Sequence, residues 1–480
     1  MLKPLFEIFK LDDVYILYDP ISNKFRTIPC HAYNFLQEVK LCEDNKEIPV
    51  SVIRKHNDGY LYVKNLMTTK VSFSSDRFCD AKYPYSQEQV EHMLKHRQKQ
   101  IVIELTKDCN FRCKYCILSD IYSNENQYKI GDIQISTLKK SIEFFVENSS
   151  DSDLLTVSFY GGEPLICFEK IKQCVEYTLK KTMGKKVNFT TTTNGSLLNN
   201  TIVDFMAKYD FKVLLSLDGP KEIHNMNRVY ADGRETFNVI MEKLQYIQEN
   251  FPEFFKKNIT FHSVVAFPKF TNEIIGYFNS TYSNNFNYSF VQPGYDTEKF
   301  DSLYNDKVNN YQIKYSEKDF FVETQENIKK DHMLSNNMTN LYDREVAEIF
   351  QMRPRNNNTF FWPAGTCDIG SRRIFVDVKG DIFPCEKISY DDETNCIGNV
   401  FSGFDVNKVM KIIKGYEETL VPCTKCWCAN LCKRCWKQKS IDENFCENMR
   451  KSIFKQIQNS LKLLIETPTI VKRYDKVELK

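Results

Sequence analysis

The chain has 480 residues, with 65 Lys plus Arg against 63 Asp plus Glu and a formal net charge of +2. That balance argues against a nucleic-acid or anionic-membrane partner, because both require a concentrated positive field. Apolar residues at 42% suit an ordinary globular protein, but 17 cysteines are too sparse for a disulfide scaffold and too many for an ordinary enzyme.

Residues 5–9, 14–18 and 25–28 read as three short strands, with Asp19, Pro20, Ser22 and Asn23 supplying turn chemistry before the third. A helix over about 32–40 and a further β segment at 60–63 complete a small α+β unit over residues 1–90, large enough to fold alone. Met1 to Asp13 mixes Lys3, Glu7, Lys10, Asp12 and Asp13 into its apolar residues, so it is not a secretory signal. No apolar run approaches the roughly 18 residues of a membrane helix. The expected compartment is the cytoplasm, where thiols stay reduced and clustered cysteines usually mean metal.

Over residues 91–300 strand and helix patterns alternate. Strands are expected at 101–105, 154–160, 187–193, 213–217, 259–266 and 288–291. Between them Leu138, Ile142 and Phe145, then Ile171, Val175 and Leu179, then Ile202, Phe205 and Met206, then Phe237, Ile240, Leu244 and Ile247 recur at helical spacing. Six strand–helix repeats with short links predict an α/β fold, a partial (β/α)6 TIM-like barrel. Residues 301–360 are polar and rich in asparagine, a bridging insertion with one amphipathic helix expected near 341–350. Residues 361–480 form a cysteine-rich C-terminal domain.

The cysteines cluster. Cys109-x3-Cys113-x2-Cys116 directly follows a predicted strand. Three thiolates on one loop can hold three irons of a [4Fe–4S] cluster and leave the fourth open to a small molecule. A structural zinc site needs four ligands, and no fourth Cys or His lies near in sequence; for the triplet alone, zinc or redox chemistry stays open. Gly161-Gly162-Glu163-Pro164 ends the second barrel strand. Glycines there permit close backbone approach, and Glu163 can accept a hydrogen bond from an ammonium group. Thr191 to Gly195 and Ser216 to Pro220 end the next two strands, where barrel active sites collect, although turn chemistry explains Gly195 and Gly219 equally well. In the C-terminal domain Cys367-x12-Gly380-x4-Cys385 precedes Cys423-x2-Cys426-x5-Cys432-x2-Cys435-x10-Cys446, and taken alone such spacings suit zinc knuckles as well as iron–sulfur clusters.

The stretch E-L-T-K-D-C-N-F-R-C-K-Y-C, with Tyr115 before the third cysteine, and the GGEP string in that order resemble the radical S-adenosylmethionine (SAM) superfamily. The resemblance implies that Cys109, Cys113 and Cys116 bind a [4Fe–4S] cluster and that the Gly161–Pro164 loop holds the SAM amino group. It implies further that Ser216 and Arg228 contact SAM, with Asn194 or Asp218 lining the same pocket. The C-terminal cysteines resemble the SPASM extension, which carries two auxiliary clusters. By that resemblance Cys423, Cys426, Cys432 and Cys446 hold the second, and Cys367, Cys385 and Cys435 the first. The family usually has three residues between the cysteines here numbered 432 and 435; this chain has two. Some relatives place a fourth cysteine where this chain has Arg373, so Cys428 or Cys396 completes the first set or the set stays open to a substrate thiolate. Sulfatase-maturating relatives carry a catalytic aspartate at the position of Glu386, whose longer side chain displaces the carboxylate. The N-terminal unit resembles a winged-helix-like peptide-recognition element whose third strand pairs with a leader peptide.

Together these features imply a peptide maturase with three [4Fe–4S] clusters and SAM. Its substrate would be a cysteine-containing precursor peptide with a leader, and its reductant of flavodoxin or ferredoxin type. The implied product is a thioether, of sactipeptide or ranthipeptide type. Formylglycine formation or another radical crosslink is the alternative. His31, His56, His92, His96, His262 and His332 lack ligand spacing and read as surface or satisfied core residues.

Overall fold

The computed structural model describes residues 3–44, 46–69, 78, 80–122, 131–182, 184–282, 286–291, 297–304, 308, 311–313, 349–350, 361–363, 366–388, 393–437, 443–466 and 477–478. Cys79 and most of the bridging insertion lie outside these residues, as does the helix expected at 341–350 apart from Ile349 and Phe350.

Strands β1 (Glu7–Leu11), β2 (Val14–Asp19) and β3 (Lys24–Ile28) form an antiparallel meander. Three helices follow, at Cys30–Leu41, Val50–Lys55 and Asn57–Thr68. The β segment expected at 60–63 is therefore helical. Tyr60, Leu61, Tyr62 and Val63 favour a strand locally, but Val63, Leu66 and Met67 bury together at helical spacing against Phe35, Leu36 and Val39. Gly59 seats that packing, since a Cβ there would lie 2.4 Å from the His31 carbonyl oxygen. Tertiary burial outweighs the local preference.

The barrel strands are β4 (Gln100–Thr106), β5 (Leu154–Gly161), β6 (Lys186–Thr193), β7 (Lys212–Ser216), β8 (Ile259–Val265) and β9 (Phe286–Phe290). They lie side by side in chain order, each parallel to the next. Helices such as Ile135–Glu147, Phe168–Lys181 and Asn200–Lys208 link them. β4 is covered on both faces, so Ile101 to Thr106 are all buried, as its continuous apolar run requires.

The sheet does not end at β4. Strand β10 (Arg373–Val376) pairs with it in parallel, Phe375 opposite Val102, and β11 (Asp381–Phe383), β12 (Gly398–Asn399) and β13 (Gly403–Phe404) extend it antiparallel. The cysteine-rich region thus continues the barrel sheet, and one ten-stranded sheet carries both.

The N-terminal sheet also packs on the C-terminal region. Ile8, Leu17 and Ile28 cover its own helices, while Phe9, Ile16, Tyr18 and Phe25 pack on the helix Glu443–Glu466 and the neighbouring cysteine loop. Phe9 stacks on Phe454 with ring centroids 4.7 Å apart, and Tyr18 meets Trp427 edge-on. Strand β14 (Val477–Glu478) lies parallel on the outer edge of β3, Val477 opposite Phe25, so the edge expected to receive a leader peptide is occupied by the chain itself. Among the described residues no helix is long and apolar enough to cross a membrane.

Candidate active site

The cysteine triplet sits on the loop leaving β4, at the C-terminal end of the barrel strands. Backbone N–H groups of Phe111 and Leu118 point at the sulfurs of Cys109 and Cys116, each at 3.4 Å. Asn194 Nδ2 and Arg228 Nη1 reach Cys109 and Cys113 at 3.9 Å. Donors to sulfur favour thiolate, and they come from the cysteine loop itself, the end of β6 and the cap of the helix Lys221–Asn227. Burial works the other way: it pushes the Cys113 thiol up to about 12 despite Arg228, and Cys109 higher still. Thiols raised in this way ionise when a metal ion takes them, so the donor set suits a cluster held by three cysteines.

The glycines of the GGEP string serve a different neighbour from the one expected. A Cβ on Gly161, whose φ is 133°, would lie 2.2 Å from the Thr106 carbonyl oxygen, and one on Gly162 2.1 Å from that of Asp108. Gly162 and Glu163 donate their amides to those same carbonyls at 2.9 Å. The glycines therefore dock this loop onto the backbone of the cysteine loop. Glu163 is buried and accepts from Leu165 N, Thr193 Oγ1 and Asn194 N at 2.7–3.1 Å. Burial lifts its carboxyl to about 7 in spite of these donors, so a cation arriving beside it would restore the charge.

Asp218 differs most from the sequence reading. It is fully buried behind the cavity rather than lining it, and it accepts from Tyr115 Oη at 2.5 Å and Val264 N at 3.0 Å while pairing with Arg228 Nε at 3.1 Å. It holds Arg228 over the Tyr115 ring and toward Cys113. Pro164, at the start of a short 3-10 turn, is likewise buried outside the lining.

A cavity of about 260 Å³ joins these elements. The triplet, Tyr115, Gly161 to Glu163, Asn194, Ser216 and Arg228 line one side, and Glu386 and Lys387 close the other. His262 lines it as well, bonded to Ser289 at 3.1 Å and held down to about 4, neutral at pH 7, by burial and then by Arg228. Ligand spacing could not have found His262. The alternation of β8 could: Phe261, Ser263 and Val265 are buried under helices, which turns His262 and Val264 inward.

Beyond the cavity most of the C-terminal cysteines fall into two sets. Cys367 and Cys435 are electrostatic neighbours, and the Lys437 ammonium lies near both Cys435 and Cys385. Glu386 is close to the Cys385 sulfur, 3.4 Å away, and forms a 2.8 Å ion pair with Arg373. In the second set Cys423, Cys426, Cys432 and Cys446 are mutual neighbours. Cys428 stands with this second set, 3.6 Å from Cys426, and Cys396 turns to the Gly398 carbonyl, so neither joins the first. Among the described residues no three His, Cys, Asp or Glu side chains converge on a site for a single metal ion.

Residues 103–276 match the model of the Radical SAM superfamily. The chain carries a radical SAM domain. It is 26% identical over 345 residues to a cysteine-type anaerobic sulfatase-maturating enzyme of Clostridium perfringens (strain 13 / Type A), covering 69% of this chain and 87% of that one. It is also 28% identical over 192 residues to the radical SAM cyclopropyl synthase TigE of Paramaledivibacter caminithermalis, 37% of this chain and 38% of the relative. A solved structure of native anSMEcpe with bound AdoMet and Cp18Cys peptide superposes with a TM-score of 0.54 at 20% identity, spanning 78% of this chain and 99% of that one. The chain is thus similar to the sulfatase-maturating enzyme along most of that relative's length, and it shares the mixed α/β fold of the solved structure.

Proposed function

We propose that this radical SAM enzyme modifies a cysteine-containing peptide, joining a cysteine sulfur to a substrate carbon as a thioether. One observation carries the reading: a single cavity is lined both by the triplet, with Tyr115 and the Asp218-held Arg228, and by Glu386 and Lys387, the residues that follow Cys385. A substrate carbon and a substrate sulfur can thus be presented to two metal sites across one space.

A [4Fe–4S] cluster on Cys109, Cys113 and Cys116 supplies, when bound, the electron that cleaves SAM to methionine and a hydrogen-abstracting 5′-deoxyadenosyl radical. The chain's own residues orient the reactants. Glu163 would receive the SAM ammonium, Arg228 and Asn194 would direct N–H groups at the cluster sulfurs, and Ser216 and Gly162 would border the cofactor. In the first auxiliary set, Cys367, Cys385 and Cys435 leave one position open. Arg373, which stands where a fourth cysteine would complete that set, is engaged with Glu386 instead. That arrangement supports capture of a substrate thiolate beside Cys385. Cys423, Cys426, Cys432 and Cys446 would hold the second auxiliary cluster, a set of four thiolates of the kind such clusters take.

Formylglycine formation is the second reading, favoured by likeness to the sulfatase-maturating enzyme along most of that relative's length. Anaerobic reaction with SAM, a low-potential reductant and a cysteine peptide, followed by mass spectrometry, separates the two. A thioether lowers the peptide mass by two hydrogens and removes a thiol, whereas formylglycine replaces the thiol with an aldehyde. Finding the aldehyde as the only product overturns the thioether reading.

A further inference from the structure

The second auxiliary set contains one thiol more than a four-iron cluster takes. Cys423, Cys426, Cys432 and Cys446 neighbour one another, and Cys428 lies against this group. Cys428 is 2% exposed and its sulfur is 3.6 Å from that of Cys426, within hydrogen-bond range for sulfur. Cys432, the Arg450 guanidinium and Tyr18 of the N-terminal sheet are its other neighbours, and it belongs to the same buried cluster as Phe9, Ile16 and Phe25. The turn that carries it is fixed by Ala429 N to the Cys426 carbonyl at 3.2 Å and Leu431 N to the Cys428 carbonyl at 2.9 Å.

A buried thiol in apolar surroundings is a small hydrophobe with one weak S–H donor. That S–H has a sulfur acceptor in reach at Cys426, to which the Arg450 guanidinium also donates. We propose that Cys428 is not an iron ligand but donates its S–H to the Cys426 sulfur, and so sets the reduction potential of the cluster held by Cys423, Cys426, Cys432 and Cys446. Reduction adds negative charge that spreads onto the ligand sulfurs, and a donor there stabilises the reduced state and raises the potential. This inference rests on the iron–sulfur reading of the second set.

The test uses the reconstituted full chain with Cys428→Ala, Cys428→Ser and Cys432→Ala, measured for iron and sulfide content and by EPR-monitored redox titration. Cys428→Ala keeps wild-type iron and sulfide, while one cluster becomes harder to reduce. At a fixed applied potential its reduced-to-oxidised ratio falls about three- to tenfold, tenfold being about 59 mV for a one-electron couple. Cys428→Ser keeps a donor and restores most of the shift, which a mere packing role would not produce. Loss of one cluster's iron from Cys428→Ala makes Cys428 a ligand and overturns the proposal. Unchanged potentials make it filler and overturn it too. Cys432→Ala is a separate arm: full wild-type iron in that variant refutes the iron–sulfur reading of the site itself, whatever Cys428 does.

Discussion

The two ends of the cavity are built differently. Around the triplet, each contacting group has a partner of its own: Arg228 is held by Asp218, Asp218 by Tyr115 and Val264, Asn194 by Asn110, and Glu163 by three donors. Around the first auxiliary set, Cys367 and Cys435 are exposed, and Cys385 rests on a turn beside Glu386, the buried end of an ion pair whose Arg373 end is open to solvent. The first site is tied to the ends of parallel strands by these bonds, whereas the second, on the proposed reading, gains folding energy only when a metal draws its thiols together.

That contrast can be broken. Cys113→Ala should abolish reductive SAM cleavage, measured as 5′-deoxyadenosine, because no other described thiol stands beside Arg228 Nη1. Removing iron with a chelator should raise amide hydrogen exchange across 366–388 and 420–437 by roughly tenfold or more while 101–106 and 187–193 stay protected; equal exposure of the strands would show that both sites depend on metal. Asp218→Ala leaves the Arg228 charge buried without its partner and should cost about 3–5 kcal/mol in denaturant unfolding.

The smallest effect sharpens the seam between the two regions. Glu104 on β4 is buried, accepts from Val378 just past β10, and is lifted by burial to about 7 from the ordinary 4.5. Between those values the folded chain keeps a proton that the unfolded chain has released, so stability falls as pH rises through that window. Glu104→Gln should therefore be nearly neutral at pH 5 and stabilise by at most roughly 3 kcal/mol at pH 8, read as a pH-dependent shift in Tm. A gain that is the same at both pH values would refute the buried-proton account.

Much of this was legible in the residues. Six parallel strands follow from runs such as Ile101 to Leu105 and Val187 to Thr193, and the triplet and GGEP string fall at strand ends as their order predicts. What escaped depends on the third dimension. Asp218 sits on a strand end like a ligand-binding residue, yet only packing shows that it faces Arg228 and Tyr115. The role of Gly161 and Gly162 depends on which backbone lies opposite, and a one-chain sequence does not reveal that it is the cysteine loop. Nor did Tyr60 to Val63 disclose the helix face that Phe35 would cover.

The pairing of β14 with β3 has a consequence for synthesis. Residues 25 and 477 are neighbours in the sheet but lie about 450 residues apart along the chain. At about 5–20 residues per second, β3 emerges from the ribosome roughly 20–90 seconds before its partner. Phe9, Tyr18 and Phe25 wait a similar time for the helix Glu443–Glu466. The first sheet to be made is among the last to be finished, and during that interval its bare edge and aromatic face are what a chaperone would recognise.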